Sequence, residues 1–275
     1  MSWRDELSGI RDDQDPIRRA RRAGELGDAY RQRQHELARL RRIAIDEARA
    51  QGMSYTEIAA ACGVSKGRIT QIRTTAPPTE RAFFGVGPVV VGVPLRFGED
   101  DRKRTYIDAA DANAQRAAEG LLADLSLQAT GRSILPDRAE PFDGDAVVIC
   151  GPKSAPIGTT LLARDPHLDM TKSGNRWWIV NRDTGDKLGS PRNDPTPTAS
   201  DLGYLARHLI DDRVVIHIAG ITAYGSHGVV HYLAHNLPEL WSSTGDTQFS
   251  MVVRSDHTED GAITASAQVV SPVRW

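Results

Sequence analysis

The sequence has 275 residues, enough for one large domain or two of unequal size, because a domain commonly holds about 100–200 residues. Hydrophobic residues make up 40% and charged residues 25%, a globular composition that argues against a wholly disordered chain. The net charge of -2 hides an asymmetry: residues 1–82 hold 16 basic and 12 acidic side chains, against 18 and 24 in the remainder. We therefore expect a basic module, suited to a polyanion, followed by an acidic module with a different partner.

The same composition bears on location. The longest apolar run, within residues 89–95, is far shorter than the ~20 residues of a transmembrane helix, so we expect no membrane partner. The first 15 residues lack the apolar stretch of a secretory signal. Two cysteines, Cys62 and Cys150, are too few for a disulfide framework or a cysteine-based zinc site. A cytoplasmic location is the expectation.

A long arginine-rich helix is predicted from Pro16 to Gln51, with Asp15 as its N-cap and proline at its first position. Gly24 and Gly27 are expected to split it into two helices. Its apolar stripe from Leu26 to Ala48 suits either packing against the next module or a coiled-coil seam between two copies.

Residues 55–73, YTEIAAACGVSKGRITQIR, have the spacing of a helix-turn-helix. Ala59 is small enough for a second helix to cross close to it, and Gly63 supplies the positive φ that a three-residue turn needs. Ser65 is a suitable N-cap for the second helix. The apolar positions expected to fix the crossing angle are Ile58, Val64, Ile69 and Ile72.

The stretch EIAAACGVSKGRITQI resembles the helix-turn-helix of sigma-factor region 4, and the resemblance covers only residues from about 40 to 75. It implies a double-stranded DNA partner read in the major groove by short polar and basic side chains. A segment corresponding to the polymerase-binding part of a complete sigma factor is not visible. The alternative is a helical hairpin without a function. The residues expected to meet DNA are Tyr55, Thr56, Ser65, Lys66, Gly67, Arg68, Thr70, Gln71 and Arg73.

A module boundary is predicted at Ala76–Pro77–Pro78–Thr79, because paired prolines end a helix and favour extended backbone. The chain then divides into a helical DNA-binding domain (1–76), a linker (77–84) and an α/β domain (85–275) that senses a ligand or mediates oligomerisation.

The α/β domain alternates apolar strands with helices, which indicates a mostly parallel sheet covered on both faces. Its rhythm loosely resembles Rossmann-like sensor or effector domains. Predicted strands are 86–95, 145–150 and 213–219, with a hairpin turn at Thr184–Gly185 and a closing hairpin of 249–255 and 263–271. Predicted helices are 106–127, 157–163, 201–209 (capped by Ser200 or Asp201) and 228–237.

Two glycine-containing turns follow buried-type strands, at residues 150–154 and 219–228. Both are expected at the carboxyl edge of the sheet, where glycines let a ligand approach the backbone and helix starts attract anions. A small phosphorylated ligand, possibly nucleotide-like, would suit their donors; no cofactor is identified. The alternative is that the glycines only let strands turn tightly into helices. The expected ligand-binding residues are Gly151, Lys153, Ser154, Gly220, Thr222, Gly225, Ser226 and His227.

No catalytic residue or metal ligand is assigned. Cys150 is expected to be a buried thiol, and the four-residue spacing of His227, His231 and His235 is explained by packing as well as by a metal. The preferred hypothesis is a homodimeric, DNA-binding transcriptional regulator with a ligand-sensing α/β domain. The alternative is a nucleotide- or NAD-processing enzyme that uses the helix-turn-helix as a targeting module.

Overall fold

A computed structural model describes residues 3–99 and 103–275. The chain divides into two compact units. Unit 1 comprises Met1–Thr79 and Val86–Pro88, and unit 2 comprises Glu80–Gly85 and Val89–Trp275. Within the described ranges, no helix combines the length and the apolarity that crossing a membrane requires.

Unit 1 is helical. Its helices are α1 (Trp3–Arg11), α2 (Pro16–Ala50), α3 (Tyr55–Ala61) and α4 (Lys66–Thr75). The Asp15 carboxylate caps α2 by accepting hydrogen bonds from the backbone of Ile17 (2.9 Å) and Arg18 (3.2 Å). The expected break at Gly24 and Gly27 is wrong, because α2 continues through both. A glycine costs a helix interior only about 1 kcal/mol, which a 35-residue helix can absorb.

Unit 2 is a mixed α/β structure. It begins in the 3-10 turn Thr79–Phe84. Its helices are α5 (Ala109–Asp124), α6 (Pro156–Leu162) and α7 (Ala223–Thr244), with a second 3-10 turn at Pro191–Asn193. Its strands are β1 (Val89–Pro94), β2 (Arg96–Glu99), β3 (Lys103–Tyr106), β4 (Ala129–Ile134), β5 (Asp145–Ile149), β6 (Leu168–Ser173), β7 (Arg176–Asn181), β8 (Lys187–Gly189), β9 (Ser200–Ile210), β10 (Arg213–Gly220), β11 (Phe249–His257) and β12 (Ile263–Arg274).

Seven strands form the central sheet in the order β12-β11-β9-β10-β5-β1-β4. Strands β4, β1, β5 and β10 are mutually parallel, whereas β10, β9, β11 and β12 pair antiparallel. The expectation of a mostly parallel sheet is therefore correct only for the half from β4 to β10. Strands β9 and β10 are joined by a short turn at residues 211–212, and such a connection can only produce antiparallel neighbours.

The central sheet is buried on both faces, and alternate residues of each strand serve opposite cores. In β5, Val147 and Ile149 pack with α5 and α7, while Ala146 and Val148 pack on the α6 side. The small sheet β6-β7-β8 adds a further core on the second face through Leu168 and other residues. Because both faces of the sheet are covered, residues 146–150 (AVVIC) are apolar without interruption.

Residues 201–209, predicted as a helix, belong to strand β9, so that prediction is wrong. The segment is rich in leucine and alanine, which favour helices in isolation. In the fold it lies between β10 and β11 and pairs with both, and almost all of its residues are buried. Leu205 packs on the α7 side and Tyr204 on the other, the period of two that a strand imposes.

Part of the segment expected to be a linker is not a linker. Phe83 and Phe84 are buried in the core of unit 2, with their rings 5.0 Å apart in an edge-to-face contact. The buried guanidinium of Arg207 donates to the Phe83 carbonyl oxygen at 3.1 Å. The paired prolines end α4, but the aromatic residues that follow them carry too much apolar surface to remain in solvent.

Helix α7 approaches the sheet at backbone contact distance, and glycines make the approach possible. A β-carbon at Gly225 would overlap the Leu202 carbonyl group, 2.8 Å from its carbon atom. A β-carbon at Gly203 would meet the backbone of Gly225, and one at Gly228 would meet the Ser255 side chain. These glycines serve packing between helix and strand rather than the approach of a ligand.

We predict that Gly225→Ala destabilises unit 2 by about 1–3 kcal/mol, because the added methyl group forces α7 away from β9. The control is Gly120→Ala in α5, where no atom lies within 4 Å of the added carbon. That variant should gain about 0.5–1 kcal/mol. Urea unfolding followed by tryptophan fluorescence measures both, and a Gly225→Ala protein as stable as the wild type would contradict the packing role.

Candidate functional site

The turn between α3 and α4 has the geometry expected of a helix-turn-helix. Ser54 and Glu57 form a capping box at the start of α3, with hydrogen bonds of 2.7 and 3.2 Å. Gly63 has φ +65°, a conformation that side chains rarely adopt, and the Ser65 hydroxyl accepts from the Arg68 backbone at 3.2 Å. The two helices meet through buried Ile58, Ala59, Ile69 and Ile72, packed against Ile45 of α2.

The opposite face of α4 is exposed and basic. Lys66, Arg68, Thr70 and Gln71 are exposed, as are Ser65 and Gly67 at the helix start and Thr56 on α3. The Arg68 guanidinium donates to the Gln71 amide oxygen at 2.7 Å, so these two side chains lie side by side on the surface. Helix α4 contains no acidic residue, so a polyanion would meet no carboxylate along it.

Two of the residues expected to meet DNA are engaged inside unit 1. The Arg73 guanidinium donates to Asp46 of α2 at 2.7 Å and to the Tyr55 hydroxyl. The Tyr55 ring also has the Arg49 guanidinium 4.6 Å from its centroid. Arg73 and Tyr55 therefore join α2, α3 and α4, and the expected DNA surface is reduced to the remaining seven residues.

In unit 2, a cleft opens where the connections of the parallel strands diverge. Strand β1 leads through α5 to β4 on one side, whereas β5 leads through α6 and β9 to β10 on the other. Ligands bind preferentially at such switch points, beyond the carboxyl ends of the strands. We call the innermost part of the cleft the cation corner. Its lining residues are Pro94, Arg96, Asp111, Ile149, Cys150, Gly151, Lys153, Ser154, Gly220, Thr222, Ala223 and Ser226.

Two cations face the cation corner. The Arg96 guanidinium donates to the buried carboxylate of Asp111 at 2.7 Å, while its Nε is buried and makes no hydrogen bond within the described residues. The Lys153 ammonium donates to the Ile221 carbonyl oxygen at 2.8 Å. Burial and the charge of Arg96 lower the pKa of Lys153, against the opposing effect of Asp201. Two cations held near one another favour an anion between them.

The start of α7 already holds an anion that belongs to the protein. One oxygen of Asp201 accepts hydrogen bonds from the backbone of Thr222 and Gly225, both at 2.9 Å, and from the Thr222 hydroxyl at 2.5 Å. Asp201, expected to cap a helix of its own, caps α7 instead. A bound anion would therefore depend on the Arg96 and Lys153 side chains rather than on these backbone N–H groups.

A larger side compartment adjoins the cation corner, with a volume of about 340 Å³. Thr222 and Ala223 line both parts, so the two adjoin at the start of α7. The Tyr224 ring stacks on His257 with centroids 4.4 Å apart, and the Arg192 guanidinium lies 4.8 Å from the Tyr224 centroid. The residues that line this compartment are Asp108, Ala109, Ala110, Asn113, Arg192, Thr222, Ala223, Tyr224, Asp260 and Gly261.

The fold brings together six of the eight residues expected to bind a ligand: Gly151, Lys153, Ser154, Gly220, Thr222 and Ser226. Gly225 is buried behind them against β9, and His227, one residue beyond Ser226, does not line the cleft. The sequence interpretation missed Arg96, Asp111 and Asp108. Arg96 follows a buried strand almost directly, as Lys153 does, so the same position in the sequence could have identified it.

Cys150 is a buried thiol, and two of the three histidines of α7 pack against each other. Burial raises the pKa of the Cys150 thiol to about 12, so the reactive thiolate is not populated near neutral pH. His231 and His235 stack on each other at 4.2 Å, and His231 lies 2.8 Å from the Ser266 hydroxyl. Across the described part of the chain, no group of three potential metal ligands occurs.

A pair of buried histidines lies beneath the cation corner. The His217 Nε2 lies 2.9 Å from the Cys150 carbonyl oxygen, and the His208 ring lies 6.1 Å from the His217 ring. Burial lowers the pKa of His208 to about 3 and that of His217 to about 4. Both rings are therefore neutral at physiological pH, and the floor of the corner carries no charge from them.

We predict that unit 2 loses stability between pH 6.5 and pH 4. The folded protein keeps both rings neutral in this range, while the unfolded chain takes up protons at its ordinary histidine pKa of 6.5. Each of these two histidines should therefore lower the free energy of unfolding by about 2 kcal/mol as the pH falls from 7 to 5. The free energy of unfolding in urea is measured as a function of pH. Its slope should fall by about one proton in His208→Phe and should stay unchanged in the exposed control His235→Phe. An unchanged slope in His208→Phe would contradict this account.

No known protein family has a model that matches this chain, and no curated protein matches it significantly in sequence.

Proposed function

We propose that the chain is a DNA-binding transcriptional regulator, in which α4 enters the major groove and unit 2 binds a small phosphorylated ligand. One observation carries the proposal: α4 uses its apolar face to cross α3 and presents a basic face, free of carboxylates, to solvent. A buried crossing with an exposed basic second helix is what groove reading by a helix-turn-helix requires.

The exposed side chains have the chemistry of base and phosphate contacts. Lysine and arginine donate to guanine O6 and N7, and a glutamine amide pairs with adenine N6 and N7. Lys66 and Gln71 lie more than one turn apart on α4, a spacing that reaches successive base pairs. Arg68, held beside Gln71, supplies further positive charge for the phosphate backbone.

We propose that two copies act together, because one helix-turn-helix makes a small interface with DNA. Leu37 and Leu40 of α2 support this, since they are 67% and 47% exposed and lie one turn apart. Exposed apolar side chains clustered on one helix favour contact with a second protein surface.

For unit 2 we propose a Rossmann-like mode of ligand binding. The parallel half of the sheet, from β4 to β10, ends at the cation corner in the way that doubly wound sheets form nucleotide sites. One oxygen of a phosphate group would be bound between Lys153 and Arg96, with the Ser154 hydroxyl as a further donor. Because Arg96 is already paired with Asp111, Lys153 supplies most of the net charge.

The DNA proposal is tested by selecting bound sequences from random duplex DNA with the full chain. We expect one preferred sequence, arranged as two half-sites about 10 base pairs apart. Lys66→Ala and Gln71→Ala should each cost about 1–3 kcal/mol on that sequence and relax the preference at one base position.

The matched control is Arg21→Ala, which also removes exposed positive charge from unit 1. Arg21 lies 13 residues before Gln34, about 20 Å along α2 from the part that faces α4. Its loss should leave the sequence preference unchanged. Selection of random sequences by the wild type, or equal preference in all the variants, would contradict DNA reading by α4, and a single half-site would contradict the dimer.

The anion proposal is tested with inorganic phosphate. Phosphate should raise the melting temperature of the full chain above that in chloride at equal ionic strength, because it binds only the folded state. Lys153→Met should lose this increase, and Lys187→Met, which removes an exposed lysine from β8, should keep it. An equal response in the wild type and Lys153→Met would overturn the assignment of the cation corner.

A further inference from the structure

The two parts of the cleft differ in size in a way that restricts the ligand. The cation corner has a volume of about 10 Å³, room for about one water molecule, whereas the side compartment has about 340 Å³. The side compartment lies at the lower end of the range for small-molecule sites. A ligand that occupies both therefore has a small anionic end and a larger body.

The walls of the side compartment indicate the chemistry of that body. Asp108 from α5 and Asp260 from the β11–β12 hairpin both line it. One Asp108 oxygen accepts from the Ala110 backbone at 2.9 Å, the single hydrogen bond to this carboxylate within the described residues. Ionised carboxylates accept hydrogen bonds from hydroxyl groups and repel a second phosphate. Two carboxylates against the one guanidinium of Arg192 leave the compartment with a net negative charge, which favours a hydroxylated body over an anionic one.

The remaining wall is aromatic and rigid. The Tyr224 ring stacks on His257, and the Arg192 guanidinium lies on the same side of the ring, 3.1 Å from His257 Nε2. Gly261 lies against the same ring, where a β-carbon would be 2.7 Å from it. A tyrosine fixed on several sides offers a flat amphipathic wall, which suits the carbon face of a sugar ring.

We infer that the ligand of unit 2 is the phosphate ester of a ribose-sized polyol. A phosphate oxygen lies between Arg96 and Lys153, and the sugar hydroxyls donate to Asp108 and Asp260. This inference rests on the proposed phosphate site and adds to it the class of molecule that carries the phosphate.

The test is calorimetric titration of the full chain with ribose 5-phosphate, inorganic phosphate and ribose at constant ionic strength. Ribose 5-phosphate should bind at least about tenfold more tightly than inorganic phosphate, the gain expected from one hydrogen bond to a charged acceptor. Ribose alone should bind more weakly than either.

Two variants separate the sugar from the phosphate. In Asp108→Ser/Asp260→Ala, serine keeps the cap on α5 and removes the carboxylate, so affinity for ribose 5-phosphate should fall about tenfold while affinity for inorganic phosphate is unchanged. The control Asp124→Ser removes a carboxylate from the other end of α5, about 24 Å away along the helix, and should change neither affinity.

The outcomes distinguish the two levels of the assignment. Two outcomes would overturn the polyol inference and leave the phosphate site intact. One is equal affinity of the wild type for inorganic phosphate and ribose 5-phosphate, and the other is a double variant that keeps full affinity for ribose 5-phosphate. If the wild type binds neither inorganic phosphate nor ribose 5-phosphate, the phosphate site itself is overturned, and the polyol inference with it. DNA binding by α4 is measured independently of both.

Discussion

Helix α7 lies against strand β9 at backbone contact distance, and the Asp201 carboxylate fixes that approach. Asp201 is fully buried, and among the described residues its hydrogen bonds all go to Oδ2, while the buried Oδ1 has no partner. The donors to Oδ2 offset part of the cost of burying the carboxylate. The first turn of α7 provides two backbone N–H groups and the Thr222 hydroxyl, at the positive end of the helix. The absence of β-carbons at Gly203 and Gly225 lets donors and acceptor meet. The position of the whole turn between β10 and α7 follows from this contact.

The arrangement of charge in the cleft is a consequence of that contact. Because Asp201 occupies the helix terminus, the cation corner depends on side chains, and its two cations are held differently. Arg96 is neutralised by buried Asp111, whose own pKa burial raises. The Lys153 ammonium instead donates a hydrogen bond to the Ile221 carbonyl oxygen. Removing Arg96 would leave a buried carboxylate unpaired, whereas Lys153 can be replaced with the loss of one hydrogen bond. Lys153 is therefore the residue through which the anion site can be studied without disturbing the fold.

In unit 1, some polar side chains of α4 hold the helices together while others are exposed to solvent. Arg73 lies on α4 as Lys66 and Arg68 do, but its guanidinium is held by Asp46 and Tyr55 and joins the three helices. Lys66, two turns before Arg73 on the same side of α4, and Arg68 both extend into solvent. Similar residue types on one short helix thus have unequal roles, because Arg73 lies within hydrogen-bond distance of Asp46 and Tyr55.

The sequence by itself determined the features that depend on local chemistry. The turn at Gly63, the caps at Asp15 and Ser65 and the buried strands β5 and β10 all follow from short-range patterns that the tertiary structure does not override. Half of the residues that line the cation corner were also predictable, because a side chain just beyond a buried parallel strand must lie at the carboxyl edge of the sheet.

Only the tertiary structure decided the rest. Residues 201–209 have a helical composition but form a strand, because the sheet offers them partners on both sides and buries all of them but Leu209. The packing of Gly225 against Leu202, the capping of α7 by Asp201, and the placement of Asp108 and Asp260 around one compartment all involve residues more than 20 positions apart. Local pattern carries no information about such pairs, since the free energy that fixes them comes from contacts formed only when the sheet and its helices assemble.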